Sequence, residues 1–337
     1  VAVDGVTIKD GNVGAAGTAT SVAGIPFYRG DGNNSSIYTH DVSGTDSTAQ
    51  FNTGYGIASL DAITTGDKNT AIGNAAGSAL TEATDSVLVG YESGAAITTG
   101  VKNVAVGSFA LDALNTGSEN TAIGHQALTA DTKGGRNVAI GHGTLSTQNF
   151  TSATSSYNIA VGYNALNLNT TGPNNVAVGA LALDANTTGG TNVAVGRGSL
   201  GANTTASNNV AIGDLSMVAN TEGHSNTAIG KGTLGANTTG TSNTAVGCDA
   251  LANNTTAGAN TAVGRNSLRD NTTGSDNTAV GESSLRENET GCCNAVLGEN
   301  AMTLNTSGCY NTSIGSFSLH NNTTADNNTA VGYQALK

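Results

Sequence analysis

The sequence predicts an all-β protein whose architecture is a parallel β-solenoid, or β-roll, of 17-residue rungs. Three observations lead to this prediction. Glycine recurs every seventeen residues from Gly56 to Gly141 and, after four extra residues, from Gly162 to Gly332, which gives seventeen copies. Apolar and polar residues keep the same order around each of these glycines. Glycine also makes up 47 of the 337 residues, against 2 prolines and no tryptophan. A strict short period over most of a chain is typical of a solenoid, in which each rung buries its apolar side only by stacking on its neighbours.

The composition favours a thin core and argues against several classes of function. Charged residues make up 11% of the chain and aromatic residues 4%, whereas about a quarter of a typical globular protein is charged. Disorder would also explain much Gly, Asn, Thr and Ser, but a disordered tract has no reason to keep apolar residues in register. The net charge of −12 argues against nucleic-acid binding, which needs a basic face. No run approaches the roughly 20 apolar residues of a membrane-spanning helix.

Residues 1–50 do not carry the repeat, and we expect them to form a small β-rich cap or connector ahead of a solenoid over residues 51–337. The alternation in Val1–Ile8 around an Asp-Gly turn indicates a hairpin. Residues 25–28 form an apolar and aromatic cluster, and residues 31–36 are expected to be a loop. The chain lacks an initiator Met and ends at Lys337 partway through a rung, so we expect it to be a piece of a longer protein.

The repeat is irregular in two places. Within residues 52–100, Gly54 stands where Ala is usual, and Gly77 and Gly94 replace the usual Leu. We interpret these as the atypical terminal repeats that solenoids commonly have. The four extra residues lie in 146–157. Because an insertion into a stacked coil must leave it at a turn, we expect a protruding loop near Phe150.

The positions of one rung are numbered from the repeat glycine as zero. Position −1 is Val, Ile, Leu or Tyr in all copies, position −2 is Ala in thirteen and position +4 is Leu or Met in fifteen. Residues −3 to −1 therefore form a three-residue strand, in which the middle side chain points away from its two neighbours. We predict that −3, −1 and +4 face the interior and that −2 faces outwards. Position −4 is Asn in sixteen copies, which predicts a ladder of stacked amides.

The alanine column at −2 is the basis of the predicted interface. A side chain that faces solvent should vary from copy to copy, as position +1 does, but position −2 stays small. We therefore predict that another copy of the chain packs against it. The alternative is that Ala faces inwards and Val or Ile outwards, which would expose a ladder of β-branched side chains to water. The predicted interface residues are Ala105, Ala122, Ala139, Ala160, Ala177, Ala194, Ala211, Ala228, Ala245, Ala262, Ala279 and Ala330.

The core of the repeat resembles a known family. The segments Asn103–Gly107, Asn137–Gly141 and Asn209–Gly213, which read Asn-Val-Ala-Val/Ile-Gly, are similar to the head repeat of trimeric autotransporter adhesins of the YadA-like family. The resemblance covers about residues 52–337. It implies a left-handed parallel β-roll that trimerises side by side, although the family's usual rung is shorter than seventeen residues.

A second resemblance is to the repeat-bearing tail-fibre and appendage proteins of tailed phages, especially cyanophages. The similar segments are Asp4–Asn12, Ser36–His40 and Asn328–Leu336. This resemblance implies a virion fibre that supports host attachment.

Few residues are candidates for chemistry. Cys292 and Cys309 occupy the same phase one rung apart, so their Cα atoms are expected about 5 Å apart, within disulfide range; free thiols are the alternative. His125 and His142 share position +1 and could hold a metal if several chains met, but +1 is the variable outer column, so we predict no metal and no cofactor. The many Asn-x-Thr triplets are better explained as turns than as glycosylation sites. No catalytic constellation stands out, and we predict no enzymatic activity.

These observations together predict a homotrimeric rod with a structural role, as the shaft or spacer of a phage tail fibre or similar virion appendage. Host binding would then lie at a tip beyond this chain or at the loop near Phe150. The alternative is a bacterial trimeric autotransporter adhesin that binds host or matrix surfaces, through a glycan or a protein, at the cell surface. A third class is an ice-binding solenoid using stacked Thr columns. Expected partners are further copies of this chain and other appendage proteins at its ends.

Overall fold

The computed structural model describes residues 20–22, 25–29, 36–39, 42, 45, 46 and 48–337, and the chain divides into two units, Val1–Asn158 and Ile159–Lys337. The predicted fold class is confirmed, because the repeat in each unit is a stack of parallel strands in register with a rung of about 17 residues. Across these described ranges the secondary structure is strand, turn and bend, with no helix. The predicted hairpin at Val1–Ile8 and most of the predicted loop at 31–36 lie outside the described residues.

The first unit begins with three strands that lead into the repeat. Strand β1 pairs antiparallel with β2, β2 pairs antiparallel with β3, and β3 then pairs in parallel with β4. From β4 to β8 each strand pairs with the next, β8 pairs with β10, and β9 forms a separate parallel pair with β11. The strands are β1 Thr20–Val22, β2 Ile25–Arg29, β3 Ile37–Tyr38, β4 Thr53–Tyr55, β5 Thr70–Ile72, β6 Val87–Val89, β7 Val104–Val106, β8 Thr121–Ile123, β9 Gly134–Gly135, β10 Val138–Ile140 and β11 Thr154–Ser155.

The second unit is an uninterrupted stack. Each of its strands pairs in parallel with the next, and residues of equal phase face one another. The strands are β12 Ile159–Val161, β13 Val176–Val178, β14 Val193–Val195, β15 Val210–Ile212, β16 Thr227–Ile229, β17 Thr244–Val246, β18 Thr261–Val263, β19 Thr278–Val280, β20 Ala295–Leu297, β21 Thr312–Ile314 and β22 Thr329–Val331.

The repeat glycine sets the close approach of one rung to the next. Its φ lies between +126° and +141° in every copy, a region that side chains with a Cβ avoid. A Cβ added at Gly213 would also lie 2.4 Å from the carbonyl oxygen of Gly230 in the next rung. Backbone hydrogen bonds join the rungs on both sides of this point, for example from Gly213 N–H to Val195 O at 2.8 Å and from Val210 N–H to Asn226 O at 2.8 Å. Only glycine meets both requirements, which explains the strict period.

Two asparagine columns run through the interior, one at −4 in both units and one at +7 in the second unit. At −4, Asn243 Nδ2 donates to Asn226 Oδ1 at 3.1 Å and to Ala257 O at 2.9 Å. At +7, Asn254 Nδ2 donates to Asn237 Oδ1 at 2.9 Å and to the same Ala257 oxygen at 3.0 Å. The predicted amide ladder at −4 is therefore confirmed, and a second ladder lies beside it. Because both columns are buried except at their last members, Asn322 and Asn328, these hydrogen bonds form where almost no water competes for them.

The predicted direction of the strand side chains is wrong. The alanines at −2, including all of the predicted interface residues, are 0–3% exposed within the single chain, and the residues at −3 and −1 lie on the outside. The buried side of the rung consists of −4, −2, +3, +4, +7 and +10. The physical reason is that side chains two residues apart in an extended strand, such as those at −4 and −2, point to the same side. Because the Asn at −4 points inwards, the Ala at −2 points inwards as well. The prediction that +4 faces the interior is confirmed.

The irregular rungs of the first unit differ in which interior positions carry large and small side chains. Leu88 stands at −2, where Ala is usual, and is fully buried. A Cβ at Gly77 or Gly94, both at +4, would lie 2.6 and 2.8 Å from its methyl carbons, so the two glycines provide the space that the larger Leu88 fills. Likewise, a Cβ at Gly54 would lie 2.9 Å from the ring of buried Tyr38 in the preceding strand.

The insertion does not project at Phe150, which is 7% exposed. The three residues that follow it, 151–153, are exposed, and strand β11 then pairs with β9. The exposed loop expected near Phe150 therefore begins just after this residue, whose own ring is buried.

Candidate functional site

The outer face of the second unit, defined here as the side chains at −3 and −1 of β12–β22, is the larger of two candidate surfaces. All of these residues are Val, Ile, Leu, Ala or Thr, and none is charged. Ile212 and Ile229 are each 38% exposed, and Ile314 is 40% exposed. The face arises because the alanine at −2 takes the inner side of each strand, so the β-branched neighbours must take the outer side.

The outer face is long, narrow and uncharged. Eleven strands spaced about 4.8 Å apart, with two side chains each, give roughly 50 Å by 10 Å, or on the order of 500 Å². Largest apolar patches on monomeric proteins are about 300–600 Å² and are often functional. A surface at the upper end of that range, with no charge to break it, favours burial against another molecule.

Charged residues border the outer face at position +1. Arg197 and Asp214 form an ion pair of 2.9 Å between neighbouring rungs, and Arg265 pairs with Glu282 in the same way. These side chains are 37–62% exposed, so each pair contributes about 0–1 kcal/mol to stability. The charges therefore form a polar margin beside an apolar strip, as protein interfaces commonly have.

The second candidate surface is a groove of about 210 Å³ at the insertion in the first unit. Arg136 crosses it, donating to Glu119 Oε2 at 2.8 Å, Ser155 Oγ at 2.8 Å and Tyr157 Oη at 2.9 Å. The ion pair lowers the pKa of Glu119 and raises that of Arg136. The groove is lined by residues 116–119, Lys133, Gly135, Arg136 and 153–155.

A buried polar cluster supports this groove from below. Asp131 is fully buried at +7, and its Oδ1 accepts the N–H of Gly134 at 2.8 Å. Its Oδ2 accepts Gln148 Nε2 at 2.7 Å, and Gln148 Oε1 accepts Asn158 Nδ2 at 2.8 Å. Since a buried carboxylate is tolerated only with such donors, these contacts hold the turn before β9 in place under the insertion.

The two predicted cysteines come together. Cys292 Sγ and Cys309 Sγ are 3.0 Å apart, and both side chains are half-buried free thiols. The backbone N–H of Cys292 also donates to Cys309 Sγ at 3.0 Å. The hydrogen bond to Cys309, with burial as a smaller cause, raises the pKa of Cys292 to about 12.

The two histidines at +1 are also neighbours. The rings of His125 and His142 stack with centroids 5.3 Å apart, and Phe109 meets His125 edge-on at 6.0 Å. Stacked rings direct their nitrogen lone pairs in parallel rather than towards one point. Among the residues that the structure describes, no group of three or more His, Cys, Asp or Glu side chains could hold a metal ion.

Neither a protein-family model nor a curated protein matches the chain. No helix in the described parts of the chain is long and apolar enough to cross a membrane.

Proposed function

We propose that this chain is a structural, non-catalytic shaft or spacer of a surface appendage, and that it forms a homotrimer through the outer face. The observation that carries the proposal is the uncharged, mostly β-branched strip at −3 and −1 of β12–β22, in which half of the side chains are exposed and the others half-buried in the single chain. Self-association is favoured because the strip repeats once per rung, so a second copy in parallel meets the same surface at every level. The trimeric state itself rests on the resemblance to the YadA-like head repeat.

A phage tail fibre or similar virion appendage fits this role, with other appendage proteins joined at its ends. The strict repeat supports it, because a shaft needs length and uniform stiffness rather than a single reactive site. Neighbouring capsid or baseplate genes would support a virion origin, whereas a membrane anchor and signal peptide in the complete gene would support a bacterial adhesin.

The mass in solution tests the interface. A trimer has three times the chain mass of 33.1 kDa, and sedimentation velocity should report that value for the natural protein. The double variant I229K/V246K places two charges on the outer face, and it should sediment as a monomer with an unchanged circular dichroism spectrum. A natural chain that is monomeric at all concentrations, or a double variant that stays trimeric, would refute the proposal.

A matched control places the same two charges elsewhere on the same rungs. Thr239 and Thr256 are exposed at +9, a column that already carries the charged residues Lys133 and Glu222. The variant T239K/T256K should therefore keep the trimeric mass. Loss of the trimer in this control would mean that net charge, rather than the outer face, governs association.

A second candidate function is adhesion to a sulfated matrix glycan, which the groove at the insertion favours. The groove contains Lys133 and Arg136, the second of them paired with Glu119, on a chain of net charge −12, and hydroxyl side chains line it as well. Calorimetry with a heparin oligosaccharide at low salt should detect binding that K133Q weakens about tenfold, as loss of one charged contact of ~1.4 kcal/mol would give. K231Q, which removes a lysine outside the groove, should bind like the natural protein. Absence of binding at low salt would end this candidate.

A further inference from the structure

Cys292 and Cys309 stand out from their column. Both occupy position +11, where the other rungs of the second unit carry Pro, Gly, Ser, His, Thr or Asp. Cysteine appears there twice, in adjacent rungs, and at no other +11 position of that unit. Because neighbouring rungs stack in register, this shared position brings the two sulfur atoms into contact.

The two sulfur atoms are placed so that a disulfide bond can form between them. The Sγ atoms are 3.0 Å apart, about 1 Å beyond a covalent S–S bond. Parallel neighbouring rungs lie about 4.8 Å apart, which is within the Cα separations that disulfides span. Joining the sulfurs therefore requires small rotations of two half-buried side chains and no movement of the backbone.

The hydrogen bonds give the two thiols different roles. Cys309 Sγ accepts both the S–H and the backbone N–H of Cys292 at 3.0 Å, and the hydrogen bond to Cys309 raises the pKa of Cys292 to about 12. Because Cys292 keeps its proton more firmly, it is the thiol that completes the exchange, and Cys309 is the one that attacks an external disulfide first.

We propose that Cys292 and Cys309 form a disulfide between adjacent rungs, with a low-molecular-weight disulfide such as oxidised glutathione as the oxidant. The Cys309 thiolate attacks one glutathione sulfur, and the first glutathione leaves as a thiolate that takes up a proton. Cys292 Sγ then loses its proton to solvent and attacks Cys309 Sγ in the mixed disulfide, and the second glutathione leaves in the same way. Two protein thiols are oxidised and one glutathione disulfide is reduced to two thiols.

This staple would join the rungs that follow Gly281 and Gly298 and resist their separation. It would persist in an oxidising environment and be lost in a reducing one. The inference is independent of the proposed trimer, because both sulfurs belong to one chain.

Peptide mapping under non-reducing conditions tests the staple. Trypsin leaves the two cysteines on one peptide, since no Lys or Arg lies between Arg286 and Lys337. Cleavage after glutamate is informative, because Glu299 separates Cys292 and Cys293 from Cys309. After treatment with oxidised glutathione, peptides 290–299 and 300–337 should stay linked, lighter by two hydrogens than their sum.

Variants identify the linked sulfur atoms. C292S and C309S should each abolish the link, whereas C293S and C248S should keep it, and circular dichroism should report the same fold for all four. The oxidised natural protein should also unfold at a higher temperature than the reduced protein, and C309S should lose that difference. Free thiols after oxidation, a bond between Cys292 and Cys293, or a link through Cys293 would each overturn the proposal.

Discussion

The strongest test of the interior is a size exchange around Leu88. This leucine fills the −2 position of its rung, and Gly77 and Gly94 leave the space that it occupies. In the regular rungs the sizes are reversed, with Ala at −2 and Leu at +4. Replacing Leu88 by Ala and both glycines by Leu should therefore convert the irregular rungs into regular ones.

The magnitudes follow from the contacts. L88A removes a fully buried leucine side chain and should cost about 2–5 kcal/mol. G94L alone would place its Cβ 2.8 Å from a methyl carbon of Leu88 and 2.8 Å from Cδ1 of Ile97, and such overpacking should cost about 1–3 kcal/mol. Ile97 must shift in the triple variant as well, which the rung with Leu60 at +4 and Ile63 at +7 shows to be possible. The backbone accepts leucine at this position, because Leu60 and Leu111 adopt φ of 56° and 52°, close to the 58° of Gly94.

The triple variant G77L/L88A/G94L should then be more stable than L88A by about 2 kcal/mol or more, since changes at residues in contact do not add. Urea unfolding followed by circular dichroism, with hydrogen exchange of residues 73–107, measures the difference. The control is A122L, which introduces the same leucine at −2 beside Leu111 and Leu128, where no glycine makes room; it should be destabilising. A triple variant no more stable than L88A would show that Gly77 and Gly94 do not make room for Leu88.

Three further predictions concern single contacts. N254A leaves the buried Asn237 Oδ1 without its donor, whereas Asn271 Nδ2 keeps its hydrogen bond to Gly274 O. N254A should therefore cost about 1–3 kcal/mol and speed local hydrogen exchange, whereas its exposed neighbour variant N253A should cost under ~1 kcal/mol. G213A should unfold at clearly lower urea concentration, because the added Cβ meets a carbonyl oxygen of the next rung at 2.4 Å and φ is +140°. Glu119 should titrate below its usual pKa in an NMR titration, and R136Q should raise that pKa. Since folding lowers this pKa, the stability that the pair contributes is present at neutral pH and is lost as pH falls through the lowered value.

Much of the fold could be predicted from the sequence because a repeat averages out local ambiguity. The seventeen-residue spacing predicted the length of a rung, the constant glycine indicated a close approach of the backbones, and the leucine at +4 predicted one side of the core. The asparagine at −4 gave a ladder. The equal phase of Cys292 and Cys309 predicted the proximity that the structure confirms, although their oxidation state stays a prediction.

Hydrophobicity alone could not decide which side chains of each strand face the interior. In a three-residue strand either the middle side chain or its two neighbours can point inwards, and Ala, Val and Thr are compatible with both arrangements. Two signals in the sequence favoured the correct one. Asn at −4 and Ala at −2 share parity, and the large Leu88 at −2 occurs where +4 is glycine, which is expected only if both positions face the same interior. The groove and the buried Asp131 depend on how the insertion folds, which the period does not specify.

The reversed orientation also changes the physics of the proposed association. The outer face presents on the order of 45 Å² of flat apolar surface per rung, which is worth about 1 kcal/mol at 25 cal/mol per Å². Association of two proteins costs about 4–15 kcal/mol in lost translational and rotational freedom. One rung is therefore far too little, and several rungs in register are needed before a stable assembly forms. The entropic cost of association is fixed, whereas each rung in contact adds a small and equal gain. This explains why an uncharged strip extends over eleven strands. It also makes association depend steeply on the number of rungs.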